Sequence, residues 1–321
     1  MANELLIHLF WFATGLGLIL ITGDGFVRTS SRIAAVSGVP ALYIGTFLVG
    51  FCTSIPEIVV TFIASQQGAV NLAIGNVLGS YICNIGIVIG LTAVIKPLRV
   101  SSNTLEHAIP LLAIAIIITA LLLVVGNSFS AVDGFILLSL FCGYITLCYH
   151  HIKKHRDRFT SNSVHDGTAL SVTCILFLLC LGGLLVGSDW MVTSAREIAR
   201  WFSIDELTIG LTVLALGTSL PELTACIVAA LRNEDDIAMG NIIGSNIFCL
   251  LCVLSIPLIM APPGAISPEK LWLPMGMMLL VTTGLWLFSA KFDKVCQISR
   301  LEGATLLAIT VVYLIVTSVH H

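Results

Sequence analysis

Apolar residues run through this chain in ten long blocks, each close to the length a helix needs to cross a bilayer. They lie near 5–27, 39–65, 70–95, 105–126, 130–150, 168–193, 204–230, 235–260, 271–290 and 301–319. A spanning helix takes about 20 mostly apolar residues, because a rise of about 1.5 Å per residue must bridge a hydrocarbon core about 30 Å thick. The joins are short, and the only sizeable polar one is 151–167. The pattern predicts an all-α integral membrane protein with ten transmembrane helices. The first block carries Glu4 but neither a basic leader nor a small-residue cleavage signature. It therefore reads as a retained helix rather than a signal peptide.

The polar exceptions inside these blocks come in pairs. T-S-I-P-E at 53–57 recurs as T-S-L-P-E at 218–222, an offset of 165 residues. The same offset relates Asp24 to Asp189, Gly45 to Gly210, Ala64 to Ala229, and Pro97 to Pro262. It also relates G-N-V-L-G-S at 75–80 to G-N-I-I-G-S at 240–245. A repeat of this kind sets the fold before any local argument. Five spans separate equivalent positions, and an odd number turns the second copy upside down. The chain thus divides into a first half, 1–150, a short loop, 151–167, and a second half, 168–321. Inverted repeats are a recurring transporter plan, with broken helices and the binding site near the membrane midplane.

Each phrase puts a carboxylate, Glu57 or Glu222, among apolar residues. A charged side chain at a helix centre costs roughly 2.5–3.5 kcal/mol on insertion scales, so such a group marks a site by default. No Lys, Arg or His lies at comparable depth in the matching helices to make either a structural ion pair. Pro56 and Pro221 donate no amide hydrogen, so the carbonyls of Cys52 and Gly217 lose their helical partners. Free carbonyls, the hydroxyls of Thr53, Ser54, Thr218 and Ser219, and two carboxylates make an all-oxygen environment. That chemistry suits calcium or sodium rather than zinc or copper. The blander reading of these hydroxyls is hydrogen bonding to carbonyls one turn back. Asn76, Ser80 and Asn84 share one face of the neighbouring helix, and Asn241, Ser245 and Cys249 are their equivalents. Asn76 and Asn241 read as glue between helices. Gly75/Gly79 and Gly240/Gly244 are small-residue pairs that admit close helix approach.

Composition and charge narrow the class. Hydrophobic residues make up 57% of the 321 positions and charged ones 10%, where a soluble domain carries about 25% charged residues. A net charge of −3 with no basic face excludes a nucleic-acid partner. Ten cysteines, nearly all within apolar stretches and with no two C-x-x-C motifs to pair as a zinc site, read as small buried hydrophobes. With the N-terminus outward, the inward joins hold Arg28, Arg32, Lys96, Arg99, Lys153, Lys154, Arg156, Arg158, Arg232, Lys291, Lys294 and Arg300. The outward joins hold only Arg196, Arg200 and Lys270. The imbalance places both termini outside and the central loop in the cytoplasm. The 150–158 run of His, Lys and Arg reads as a solvated loop, His320 and His321 as a tail. Asp24 and Asp189 read as structural groups towards helix ends, capping or pairing with a nearby Arg.

At the doubled motifs the chain resembles the cation/calcium exchanger superfamily, and within it the prokaryotic sodium/calcium antiporters. G-T-S-L-P-E and G-N-x-x-G-S-N-I, as they stand at 217–222 and 240–247, resemble that family's alpha repeats, and the likeness covers essentially the whole chain. The long regulatory loop of animal exchangers is absent. The resemblance implies a secondary active antiporter of the bacterial inner membrane that exchanges sodium for calcium by alternating access, with ions as cargo and no cofactor. It implies that Glu57 and Glu222 are the central carboxylates shared by both ions, and Thr53 and Thr218 ligands of both. Ser54 and Ser219 match the adjoining hydroxyls, and Ser80 and Ser245 the flanking sodium ligands. The carbonyls of Gly50 and Ala215 match backbone ligands, and Asn84 the central amide. Two positions depart from the pattern. Cys52 stands where the family has Gly, and Cys249 where relatives carry Asp or Asn. A neutral thiol is a poor ligand for either ion. The same fold with proton coupling is therefore the nearest alternative, since buried carboxylates bind protons readily. A passive channel and an intramembrane aspartyl protease using Asp24 and Asp189 are more distant ones. A monomer is compatible with the sequence, which sets no oligomeric state.

Overall fold

The computed structural model describes residues 2–37, 39–68, 70–126, 129–159, 170–201, 215–260, 271–290 and 296–319. Helix α1 is Ala2–Ser37, followed by α2 (Ala41–Thr53) and α3 (Ile55–Gln66), which meet at a bend of 45°. Helix α4 runs through Val70–Cys83, π-helical Asn84–Ile89 and Gly90–Ile95. Then come α5 (Thr104–Gly126), α6 (Ala131–His150, continuing to Phe159) and α7 (Leu170–Trp201). Helices α8 (Ala215–Thr218) and α9 (Leu220–Leu231) repeat the α2–α3 break. The chain continues as α10 (Asp235–Met260), α11 (Trp272–Ser289) and α12 (Arg300–Val319). Among the described residues, eight helices are long and apolar enough to cross a membrane, and α2–α3 makes a ninth span if counted as one. Each of the ten apolar blocks coincides with helix, although 202–214, the start of the seventh, lies outside the described residues.

Three helices outrun their apolar blocks, which corrects three expectations. Helix α1 was expected to end near residue 27 but continues to Ser37. No Gly or Pro interrupts it after Gly25 until Gly38, and Thr29 and Ser30 bond back to the carbonyls of Gly25 and Phe26 (2.8 and 2.7 Å). Asp24 therefore sits well inside a helix, not towards its end. There it meets Arg28 at 3.2 Å and the Nε of Arg232 at 2.6 Å, the arginine pairing expected of it. The basic run 150–158 continues α6 as helix instead of forming a loop, and α7 carries Arg196 and Arg200 in helix. Hydropathy marks where hydrocarbon ends, whereas a helix can run on through polar residues that do not break it. The remaining loop residues 160–167, together with Gly210, Pro262, Lys270, Lys291, Lys294, His320 and His321, lie outside the described residues.

Helices α4 and α10 form the centre. Of their apolar windows 72% and 83% is buried, against 11% for α1. Around them pack α2 on α10, α12 on the end of α4, and α6 on the end of α10, with α1 and α7 lying along each other. Glycine makes the central contacts possible. A Cβ on Gly45 would stand 2.7 Å from the Ile237 carbonyl oxygen, and one on Gly50 3.0 Å from that of Asn241. Cβ atoms on Gly240 and Gly244 would run into the backbone of Leu42 and Thr46. The expected close approach thus occurs at Gly240/Gly244, while no described atom lies within 4 Å of a Cβ on Gly75 or Gly79. The α9–α10 turn closes with Asn233 in the left-handed region (φ 62°), as Gly68 does after α3 (φ 75°). Amides of Asn233 and Glu234 return to the carbonyls of Ala230 (2.9 Å) and Ala229 (2.8 Å), a Schellman closure. Lys96 bonds the Ala230 carbonyl and Asn233 Oδ1, tying the end of α4 to this turn. Strands β1 (Leu98–Arg99) and β2 (Gln297–Ile298) pair antiparallel, with Leu98 opposite Ile298.

Because the α2–α10 contact is backbone on backbone, Gly244→Val forces the helices apart. Overpacking of this kind costs about 1–3 kcal/mol or more. Thermal unfolding in detergent will show a lowered midpoint for Gly244→Val and little change for Gly143→Ala, an exposed position with open space around it.

Candidate ion-binding site

The two broken helices share one local geometry. Ser54 (φ −81°, ψ 6°) and Ser219 (φ −89°, ψ 7°) interrupt the helices, and each following helix starts with Pro in its first turn and Glu one residue later. S-I-P-E and S-L-P-E match the capping-box pattern, in which Ser and Glu satisfy each other's backbone amides. Neither serine makes a side-chain cap. Ser54 Oγ instead donates across the molecule to Glu222 Oε1 at 3.2 Å. Side chains that would close their own helix ends are thereby released towards the opposite half. Anions are favoured at a helix N-terminus, so the start of α3 and of α9 is a tolerable place for a carboxylate.

The predicted residues largely converge. Glu57 and Glu222 are 1% and 0% exposed, and Ser54 of the first motif reaches Glu222 of the second. Thr218 and Ser219 flank Glu57, and Thr53 and Ser54 flank Glu222, so each carboxylate is dressed by hydroxyls of the other half. Thr53 Oγ1 donates to Asn241 Oδ1 at 3.1 Å and also lies 3.3 Å from the Gly50 carbonyl, one turn back. Asn241 Nδ2 donates to the Glu222 carbonyl at 3.3 Å, joining α2, α9 and α10 as the expected glue. Asn76 does the same locally, donating to Thr61 Oγ1 of α3 at 3.1 Å. Ser245 Oγ donates to the Gly50 carbonyl at 3.2 Å. That oxygen, expected to be free for an ion, already accepts from Ser245 and from the Ser54 amide (3.2 Å). Ala215 opens α8, which packs against α4, and its side chain is outside the description.

Among the described residues, six buried oxygens of the predicted site residues lack a hydrogen bond of normal geometry: both of Glu57, Oε2 of Glu222, and those of Ser80, Ser219 and Asn84. An unsatisfied buried polar atom costs about 1–3 kcal/mol, and more when charged, so six together call for an explanation. Oxygens of mixed charge are the ligand type that a hard cation takes several of. No described group of three or more His, Cys, Asp or Glu forms a metal-ligand cluster, which separates the site from zinc-type centres. Cys249 is fully buried and within electrostatic range of both glutamates, yet contributes no oxygen. Two partners were missed from the sequence. Asn246 Oδ1 accepts from Asn84 Nδ2 at 3.1 Å, and Asn246 Nδ2 faces the Tyr81 carbonyl at 3.5 Å. The available signal was Asn246's position one turn before Cys249, on the same face of α10.

A family model described as sodium/calcium exchanger protein matches residues 7–150 and 172–319. The chain belongs to the sodium/calcium exchanger family. CaxA of Alkalimonas amylolytica, an antiporter by name, is 36% identical over 308 residues, covering 94% of this chain and 96% of that one. The inner membrane protein YrbG of Escherichia coli is 34% identical over 275 residues, 84% of each chain. The sodium-calcium exchanger NCX_Mj, solved after soaking with sodium and strontium, superposes with a TM-score of 0.80 at 32% identity, covering 96% of this chain and 98% of that one. Exchangers are transporters, which removes the protease reading. Consistently, Asp24 is engaged by two arginines, while Asp189 is exposed.

The hydrogen-bond map separates partnered from unpartnered polar groups. Asn241→Leu removes the side-chain contacts to Thr53 and to the Glu222 carbonyl and is expected to cost about 1–3 kcal/mol. Ser80→Ala removes a hydroxyl with no partner among the described residues and leaves the ion-free thermal midpoint unchanged or slightly raised. Unfolding of both variants in calcium-free buffer checks this.

Proposed function

We propose that this protein exchanges sodium for calcium across a bacterial inner membrane by alternating access. The observation that carries the reading is the crossed contact of Ser54 Oγ with Glu222 Oε1. It builds a single oxygen cluster from two halves that resemble inverted repeats of five helices each, ten in all. Empty, the two carboxylates present a charge of −2, and moving that site across hydrocarbon is unfavourable. One calcium or several sodium ions neutralise it and permit the switch. Glu57, Glu222, Thr53 and Thr218 serve both ions in this scheme. Ser54 and Ser219 adjoin them, Ser80, Ser245 and the carbonyls of Gly50 and Ala215 complete the flanking positions, and Asn84 supplies a central amide oxygen. Sharing ligands makes the ions compete, and competition enforces exchange rather than co-passage. The peripheral pair α1 and α7 are the moving parts, rocking against the α4–α10 core. The excess of basic residues in one set of joins puts both termini outside and the 151–167 segment inside.

One observation favours a second reading. Cys249 offers no oxygen where its counterpart Asn84 offers one, so the site has one ligand fewer for a full sodium complement. Proton-coupled exchange of calcium or another divalent ion on the same fold follows if protons replace sodium on the carboxylates.

Calcium uptake into inverted vesicles tests both. Sodium-gradient-driven uptake that is lost in Glu57→Gln and in Glu222→Gln supports sodium exchange. Uptake driven by a pH gradient and indifferent to sodium supports the second reading, and Cys249→Asp is then expected to gain sodium dependence. Transport that survives both glutamine substitutions contradicts either.

A further inference from the structure

We infer that Asn246 is a positioning residue that fixes the orientation of the Asn84 amide, so that the Asn84 oxygen, not its nitrogen, faces the ion. This rests on the ion-site reading above.

A buried chain of contacts has a fixed polarity. Tyr81 is 0% exposed, and its hydroxyl is held by Thr282 Oγ1 at 2.7 Å, so its backbone has a fixed place. A backbone carbonyl only accepts hydrogen bonds. The Tyr81 carbonyl therefore turns the nitrogen of Asn246 towards itself, at 3.5 Å. Asn246 Oδ1 is left on the other side, and it too only accepts. Asn84 must then present Nδ2, which it does at 3.1 Å. What remains is Asn84 Oδ1, buried in the centre of the bundle with no partner among the described residues. Asn246 is itself 0% exposed and has both ends of its amide engaged, so it is not a ligand in its own right.

Without this chain, the Asn84 amide can rotate by half a turn at little cost and point two N–H donors at a cation. The arrangement also bears on the mismatch between the halves. Cys249 brings no amide to the position equivalent to Asn84, and the second half instead contributes its amide one turn earlier, from Asn246. The asymmetric pair yields one well-directed oxygen.

The test is calcium flux in proteoliposomes of full-length protein, comparing wild type, Asn246→Leu, Asn84→Ala, the double variant and Glu57→Gln. Loss of a group that orients a ligand typically costs 10–100-fold in ion affinity. Asn246→Leu is therefore expected to raise the KM for calcium by about 10-fold or more while leaving the maximal rate near wild type. In the Asn84→Ala background the same substitution is expected to change KM by less than about 2-fold, since a residue acting through Asn84 has nothing left to act on. Asn246→Ser, too short to bridge both partners, gives the same direction and the same non-additivity if Asn246→Leu does not fold. An unchanged KM in Asn246→Leu, or full additivity with Asn84→Ala, overturns the positioning role. With Glu57→Gln inactive, that outcome leaves the ion-site reading standing. A fully active Glu57→Gln removes the site and the positioning role together.

Discussion

Glu57 and Glu222 are both buried in the middle of a helical bundle, and among the described residues no ion pair reaches either of them. Burying one charge without a partner is costly, and burying two alike is costlier. Soluble proteins commonly meet such a demand with a buried base. Here the surroundings supply only dipoles: hydroxyls from the opposite half, amides from the central helices, and the starts of two helices. Partial compensation of this sort lets two buried carboxyl groups be tolerated without satisfying every oxygen. An arrangement fully satisfied by the protein alone would have no use for an ion.

The backbone prepares this state at Ser54 and Ser219. A proline two residues on removes one helical donor, and the serine torsions near ψ 6–7° end one helix and begin the next. Glycines at positions 45, 50, 240 and 244 then bring α2 against α10 at backbone distance, so that Thr53 meets Asn241 and Ser245 meets the Gly50 carbonyl. Were those helices held apart by side chains, hydroxyl groups on short stems could not reach across. Close packing and site chemistry are one requirement seen at two scales.

Much of this was legible in the sequence for simple reasons. Hydrocarbon tolerates only apolar helices, so the spans announce themselves, and a carboxylate inside one is conspicuous. The proline in each T-S-x-P-E phrase locates the break to within a residue or two. What escaped depends on information that hydropathy does not carry. Helices α1, α6 and α7 continue beyond the point where polarity begins, because a polar residue does not by itself end a helix. The Gly50 carbonyl looked available, yet Ser245 occupies it from another helix. Asn246 was passed over because its repeat equivalent is Tyr81, so symmetry gave no hint that it would take up the amide role its neighbour Cys249 lacks.

The central claim is that one pair of carboxylates serves both ions in turn. Equilibrium binding of radioactive calcium to purified protein, titrated with sodium, addresses it without requiring transport. The account predicts competitive displacement with a Hill coefficient for sodium above one, and no calcium binding in the Glu57→Gln/Glu222→Gln double variant. Calcium binding that ignores sodium, or that persists in the double variant, would contradict it.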